Sequence, residues 1–346
     1  MELALAIGLL VFGFVILIKG ADYLVDGASA IAKRFNISDM IIGLTIVSFG
    51  TSAPELVVNI GAAMDSQNEM IMGNILGSNI FNTCLILGTA GLIYPLVVQK
   101  DTVIKEFPFS VFIVFLLFFL ANDAMFLGGE NTLSKIDGII FFSLFLVFLY
   151  YVYSSSNKKV DNSSQDDLID SGGDKGSEIT DDQNKLSLFV SILYIAGGML
   201  GLVYGGQLVL ENAVFMAEQF GMSKRVIGLT VVAIGTSLPE LATSVVAALK
   251  KNSDIAIGNV VGSNIFNILL VLGVSAIVSP FPIAYNVASN FDLYFLLIAT
   301  MVLFSFLFIG TKSKKQNGVL VFVIDKWQSG LLLVAVLGYI IYLLTS

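Results

Sequence analysis

Long apolar runs alternate with short charged or Gly/Pro/Asn-containing breaks along almost the whole chain. Their limits predict ten spans: 3–32, 39–64, 70–94, 106–122, 134–153, 187–216, 225–249, 255–279, 290–310 and 325–344. Runs of about 18 apolar residues or more match the hydrocarbon thickness of a bilayer. The first and sixth runs are long enough to tilt or to extend beyond it. Ser38 and Ser223 stand where N-caps of the second and seventh spans belong. With 56% hydrophobic and 13% charged residues, the chain reads as an all-α polytopic membrane protein, one membrane domain made of two halves. The opening MELALAIGLLVFGFVILIKG has no basic n-region and no A-x-A site, so it is expected to be a retained span.

One segment departs from this pattern. Residues 154–186 hold eight acidic residues and four lysines, half of the net charge of −8, with almost no large apolar side chains. Such a composition cannot bury enough surface to offset its ordering entropy, and it predicts a flexible loop between the halves 1–153 and 187–346. The loop's acidic cluster lacks the spacing of an EF-hand. Counting Lys and Arg in alternate connections gives fourteen on one side and three on the other (Lys135, Lys224 and Arg225). The basic side is expected to be cytoplasmic, which makes both termini extracellular and the 154–186 loop cytoplasmic in a plasma-membrane protein. Lys19, inside the first span, is left to snorkel. Cys84 is the sole cysteine, which excludes an intrachain disulfide and predicts a packing role.

Sliding the chain by 185 positions aligns 43–88 with 228–273 without a gap and with 23 identities. The same offset pairs Pro95 with Pro280 and Gly20 with Gly205, so each repeat spans about five helices. An odd number of spans inserts the second copy upside down, giving two inverted-topology five-helix repeats whose matching residues meet near the midplane.

The repeats carry GTSAPE (50–55) and GTSLPE (235–240). Pro54 and Pro239 cannot donate to the carbonyls of Gly50 and Gly235, which predicts breaks that free backbone oxygens there. Freed carbonyls within a bilayer need a cavity or a cation. Each proline precedes a glutamate, and an ionised side chain near the bilayer centre costs about 3 kcal/mol or more unless paired. Away from their ends, the second, third, seventh and eighth spans hold no Arg, Lys or His. The counter-ion must therefore come from solution. Glu55 and Glu240, with oxygens from Thr51, Ser52, Thr236 and Ser237, form a hard-donor set suited to Ca2+ or Na+. GNILGSNIFN and GNVVGSNIFN add Ser78 with Asn82, and Ser263 with Asn267, each pair on one helical face. Gly73 with Gly77, and Gly258 with Gly262, are placed for close helix approach.

These GTSxPE and GNxxGSN motifs resemble the alpha-1 and alpha-2 repeats of the cation/Ca2+ exchanger superfamily, and within it the chain is similar to prokaryotic Na+/Ca2+ exchangers. The KIDG (135–138) and KWQSG (326–330) stretches extend the resemblance. It implies a Ca2+ site made by Glu55, Glu240 and the carbonyls of Thr51 and Thr236. It also implies Na+ sites that share the glutamates and use Ser52, Ser78, Ser237, Ser263 and the carbonyls of Ser48 and Ala233. The implied activity is electrogenic antiport of about three Na+ per Ca2+ by alternating access. H+/Ca2+ relatives carry a GNxxE-type motif where this chain has Gly77 and Gly262. K+-carrying relatives have an acidic residue at the position of Asn267. Both couplings are thus less favoured alternatives, and a cation channel is the rival of another class. The partners expected are Na+, Ca2+ and the lipid bilayer, with no nucleic acid and no resident cofactor. The absence of histidine excludes HExxH zinc hydrolysis and a Ser-His pair, so no enzymatic activity is expected.

Overall fold

The computed structural model describes residues 2–126, 128, 130–166, 186–222, 233–309, 315–316 and 319–345, and these are almost wholly helical. Nine helices among them are long and apolar enough to cross a membrane: Leu3–Phe35, Asp39–Met64, Asn68–Ile93, Lys100–Ala121, Lys135–Ser156, Leu188–Gln219, Ser253–Val278, Asn290–Ile309 and Lys326–Thr345. The predicted seventh span is represented by Ala233–Thr236 and Leu238–Leu249, its earlier part and the Ser223 cap lying outside the described residues. Counting that segment as the seventh, the spans fall in the order the apolar runs predict. Ser38 caps the second helix as expected, its side chain accepting from the Ile41 N–H. The fifth helix runs further than expected, Lys135–Asp166, so the start of the acidic segment continues it. No Gly or Pro stands between 154 and 166 to stop the helix. The remainder, 167–185, lies outside the described residues.

The first helix has 34 residues and packs along the 32-residue sixth. At 1.5 Å per residue each extends for roughly 50 Å, more than the hydrocarbon core. Small residues make the contact: a Cβ added at Gly20 would stand 2.7 Å from the Leu202 nitrogen, and one at Gly198 2.6 Å from the Leu24 nitrogen. Backbone thus meets backbone, as in small-residue membrane packing. Cys84 is buried and free, consistent with packing.

Short strands tie the connections together. Leu96–Gln99 (β1), after the third helix, pairs antiparallel with Val319–Ile324 (β5), before the tenth, and β5 also pairs with Lys315–Gln316 (β4). Thr132–Leu133 (β2) pairs with Ile283–Ala284 (β3), joining the fourth-to-fifth and eighth-to-ninth connections. Each pairing links connections that the lysine count places on one side of the membrane. Lys250, in the seventh-to-eighth connection, bridges Asp22 at 2.6 Å and Asp26 at 2.7 Å in the first helix. Lys19 also has a partner, Asp22 at 3.8 Å.

The KIDG and KWQSG stretches are helix starts. Ser134 N–H donates to Asp137 Oδ2 at 2.8 Å while Asp137 N–H reaches back to Ser134 Oγ at 3.4 Å, a reciprocal cap. Gly138 then lets the fifth helix lie against the Gly273 carbonyl of the eighth. At the tenth, Gln328 accepts from Asp325 N–H at 2.7 Å and donates to the Phe306 carbonyl at 2.8 Å.

Candidate cation site

The two GTSxPE segments do not fold alike. The helix Ser48–Met64 runs unbroken through Pro54, contrary to the break expected there. Its irregularity lies upstream, where Gly43–Val47 is a π-helical turn. A π turn of this kind is a form common at functional sites. In the second copy the break is present: helix stops at Thr236, Ser237 takes φ −90 and ψ 9, and helix resumes at Leu238 with Pro239 in its first turn. Proline is tolerated there because first-turn N–H groups lack intrahelical partners. The third and eighth helices also carry π turns, Phe81–Ile86 and Asn267–Leu272, each beginning at or beside the predicted asparagine.

Glu55 and Glu240 are each 1% exposed. Their helices meet at Ser52, which stands one turn before Glu55. Ser52 Oγ donates to Glu240 Oε1 at 3.2 Å, joining the second helix to the seventh. Among the described residues, neither oxygen of Glu55 and only one of Glu240 has a hydrogen-bond partner. Buried polar atoms are normally satisfied, so three such oxygens in one place mark a position for cations. The hydroxyls of Ser78 and Ser237 and both side-chain polar atoms of Asn82 are likewise buried without a partner. Thr51 Oγ1 lies 3.3 Å from Ser263 Oγ, bringing the eighth helix to the same place. Asn267 is fully buried and donates to Asn79 Oδ1 at 3.3 Å, its own Oδ1 remaining free. Ala233 and Thr236 form the ends of the short helix that leads into the break.

Ser48 and Asn259 hold this arrangement together. The Ser48 hydroxyl donates to the Gly43 carbonyl at 2.7 Å and lies 3.0 Å from the Asn259 carbonyl of the eighth helix. Asn259 Oδ1 accepts from Thr51 Oγ1 at 3.0 Å, and its Nδ2 donates to the Glu240 carbonyl at 3.2 Å and to Ser244 Oγ at 2.9 Å. One side chain thus fixes three helices around Glu240. Asn59 stands one turn after Glu55 and donates to the Glu55 carbonyl at 2.8 Å. In the sequence Asn259 stands within GNxxGSN with nothing to mark its role beyond its recurrence at Asn74, a signal because a merely packing motif needs glycine and no amide. Of the predicted small-residue faces, Gly258 and Gly262 do meet the second helix: a Cβ at Gly258 would lie 3.0 Å from Gly43 Cα, and one at Gly262 2.9 Å from Leu44 Cα. For Gly73 and Gly77 no such approach occurs among the described residues.

The chain resembles known transporters over its length. It is 34% identical over 328 residues to the sodium/calcium exchanger MaX1 of Methanosarcina acetivorans, covering 90% of this chain and 93% of that protein. It is 36% identical over 291 residues to the inner membrane protein YrbG of Escherichia coli, covering 82% and 83%. A solved structure of the sodium-calcium exchanger NCX_Mj superposes with a TM-score of 0.76 at 28% identity, covering 99% of both chains. The sodium/calcium exchanger protein family matches residues 5–154 and 190–346. Two inverted GTSxPE copies, their buried glutamates and this coverage together identify a multi-pass membrane cation/Ca2+ antiporter: the chain belongs to the sodium/calcium exchanger protein family.

Proposed function

We propose that the chain exchanges Na+ for Ca2+ at one midplane site formed by Glu55 and Glu240, with Thr51, Thr236, Ser52, Ser237, Ser78, Ser263, Asn82 and Asn267 and the carbonyls of Ser48 and Ala233 as further oxygens. The observation that carries this reading is the pair of buried carboxylates with three oxygens unpartnered among the described residues and no basic residue in the helices Ser48–Met64 and Leu238–Leu249 that hold them. One Ca2+ neutralises both. Na+ competes for the same oxygens, and about three Na+ per Ca2+, three charges against two, would leave one net charge to move with each cycle. Without cations, two charged carboxylates must remain buried while the protein rearranges, at a cost of several kcal/mol. That penalty disfavours an uncoupled return and makes the protein an exchanger instead of a leak.

The differing halves support alternating access. The second helix is continuous where the seventh is broken, and Asn259 is fully engaged whereas the Nδ2 of its counterpart Asn74 has no partner among the described residues. Identical motifs held in two conformations are what an inverted repeat needs in order to open to one side at a time. The stoichiometry is tested by finding, in proteoliposomes, the Na+ and Ca2+ gradients at which net flux vanishes while membrane potential is varied. A null point independent of potential contradicts the electrogenic reading.

Two further outcomes follow from the same account. Asn267→Asp adds a third buried carboxylate, which must take up a proton or recruit another cation. Flux in that variant should become sensitive to pH or K+, whereas wild-type flux should be unchanged when K+ is replaced by an impermeant cation at equal potential. K+-dependent wild-type flux would favour the potassium-coupled alternative. The lysine asymmetry places both termini outside and the 154–186 loop in the cytoplasm, with the halves 1–153 and 187–346 as the repeats. A cysteine at Ser171 should therefore resist impermeant thiol reagents in intact cells and react after permeabilisation.

A further inference from the structure

Glu106 is the buried carboxylate that ion exchange does not use. It stands in the second turn of the fourth helix, is 7% exposed, and accepts from the Tyr151 hydroxyl of the fifth helix at 2.5 Å, while its Oε2 has no partner among the described residues. The second half has a comparable latch, Tyr339 donating to Asp292 at 2.9 Å, but Asp292 is only half-buried. A latch between neighbouring helices accounts for both bonds. It does not account for the buried, unpaired oxygen of Glu106.

Two cavities share Glu106, Tyr151 and Lys105. One, about 250 Å³, is walled by Phe109, Val147 and Phe148, with the rings of Phe109 and Phe148 stacked at 5.6 Å. The other, about 590 Å³, is polar and includes Gln99, Thr102 and Ser154 in its lining. Lys105 Nζ stands 5.9 Å above the Tyr151 ring and 3.8 Å from the exposed Asp101 at the rim. An apolar groove therefore leads along two membrane helices to a buried anion and an accessible cation.

We propose that this groove binds an ethanolamine phospholipid. The acyl chain lies against Phe109, Val147 and Phe148, the phosphate pairs with Lys105, and the primary ammonium donates to Glu106 Oε2. A phosphatidylglycerol headgroup offers the carboxylate only neutral hydroxyls, and a choline headgroup has no N–H to donate. Position favours a lipid too, because the groove lies between the fourth and fifth membrane-spanning helices with Lys105 at its rim.

Native mass spectrometry of the purified full chain, with phosphatidylethanolamine and phosphatidylcholine of equal acyl chains at equal concentration, tests this independently of transport. Wild type should retain the ethanolamine lipid about tenfold better, the discrimination one charge-assisted hydrogen bond supplies. Glu106→Gln should abolish that preference, and Lys105→Met should weaken retention of both lipids. Should Glu106→Gln fail to fold, stepwise N-methylation of the headgroup on wild type serves instead, and retention should fall to the choline level as N–H groups are lost. Equal retention of both lipids by wild type, or a preference surviving in Glu106→Gln, overturns the proposal.

Discussion

Glu240→Gln is expected to abolish Ca2+ transport while leaving a folded, monodisperse protein, and Glu55→Gln to do the same. Glutamine keeps the shape and one acceptor oxygen, so packing around these 1%-exposed positions changes little. What is lost is a unit negative charge. At an effective dielectric near 20, a charge pair about 4 Å apart is worth about 4 kcal/mol, which corresponds to roughly a thousandfold in affinity for each unit of ion charge. Removing either charge also relieves repulsion between the two carboxylates, so the purified variants should melt no lower than wild type. Na+-driven 45Ca2+ uptake and a melting curve, measured together, check both halves of this expectation. Uptake near the wild-type rate in either variant rejects the assignment of that carboxylate.

The second large effect is structural. Gly262→Leu puts a Cβ 2.1 Å from Ser48 Oγ and 2.9 Å from both Cα and O of Leu44. The hydroxyl is able to rotate away, but the Leu44 backbone is not, so the second and eighth helices must separate. Overpacking of this kind costs about 1–3 kcal/mol or more, and here it would also pull Ser263 from Thr51 and Asn259 from Glu240. The variant should lose transport and melt markedly lower. Gly61→Leu is the matched control, because no atom lies within 4 Å of a Cβ at exposed Gly61. Equal stability of the two variants would show that the crossing at Gly262 is looser than the structure describes.

The span order and the repeat were legible because both rest on pattern alone: apolar length sets the helices, and 23 identities at one offset set the correspondence. The pairing of strands across connections was not, since β1 and β5 are brief and more than two hundred positions apart. Helical continuity through Pro54 was illegible for another reason. A proline removes one hydrogen bond, but the surrounding packing decides whether the chain breaks there or stays helical, as it does through Pro54. Pro239 stands in nearly the same motif, with Leu238 in place of Ala53 before it, and has a different outcome. Among site residues, hydroxyls and carboxylates stood out by their cost in a bilayer, whereas Asn259 acts by spanning three helices, and a crossing angle cannot be read from spacing.

The central claim is coupled exchange at the glutamate pair, and 45Ca2+ uptake by proteoliposomes loaded with Na+ tests it most directly. Ca2+ should accumulate only while Na+ is higher inside than outside, and should not do so in K+-loaded vesicles or under a pH gradient alone. Ca2+ entry that proceeds equally well without any Na+ gradient, or that follows the pH gradient instead, would contradict the account.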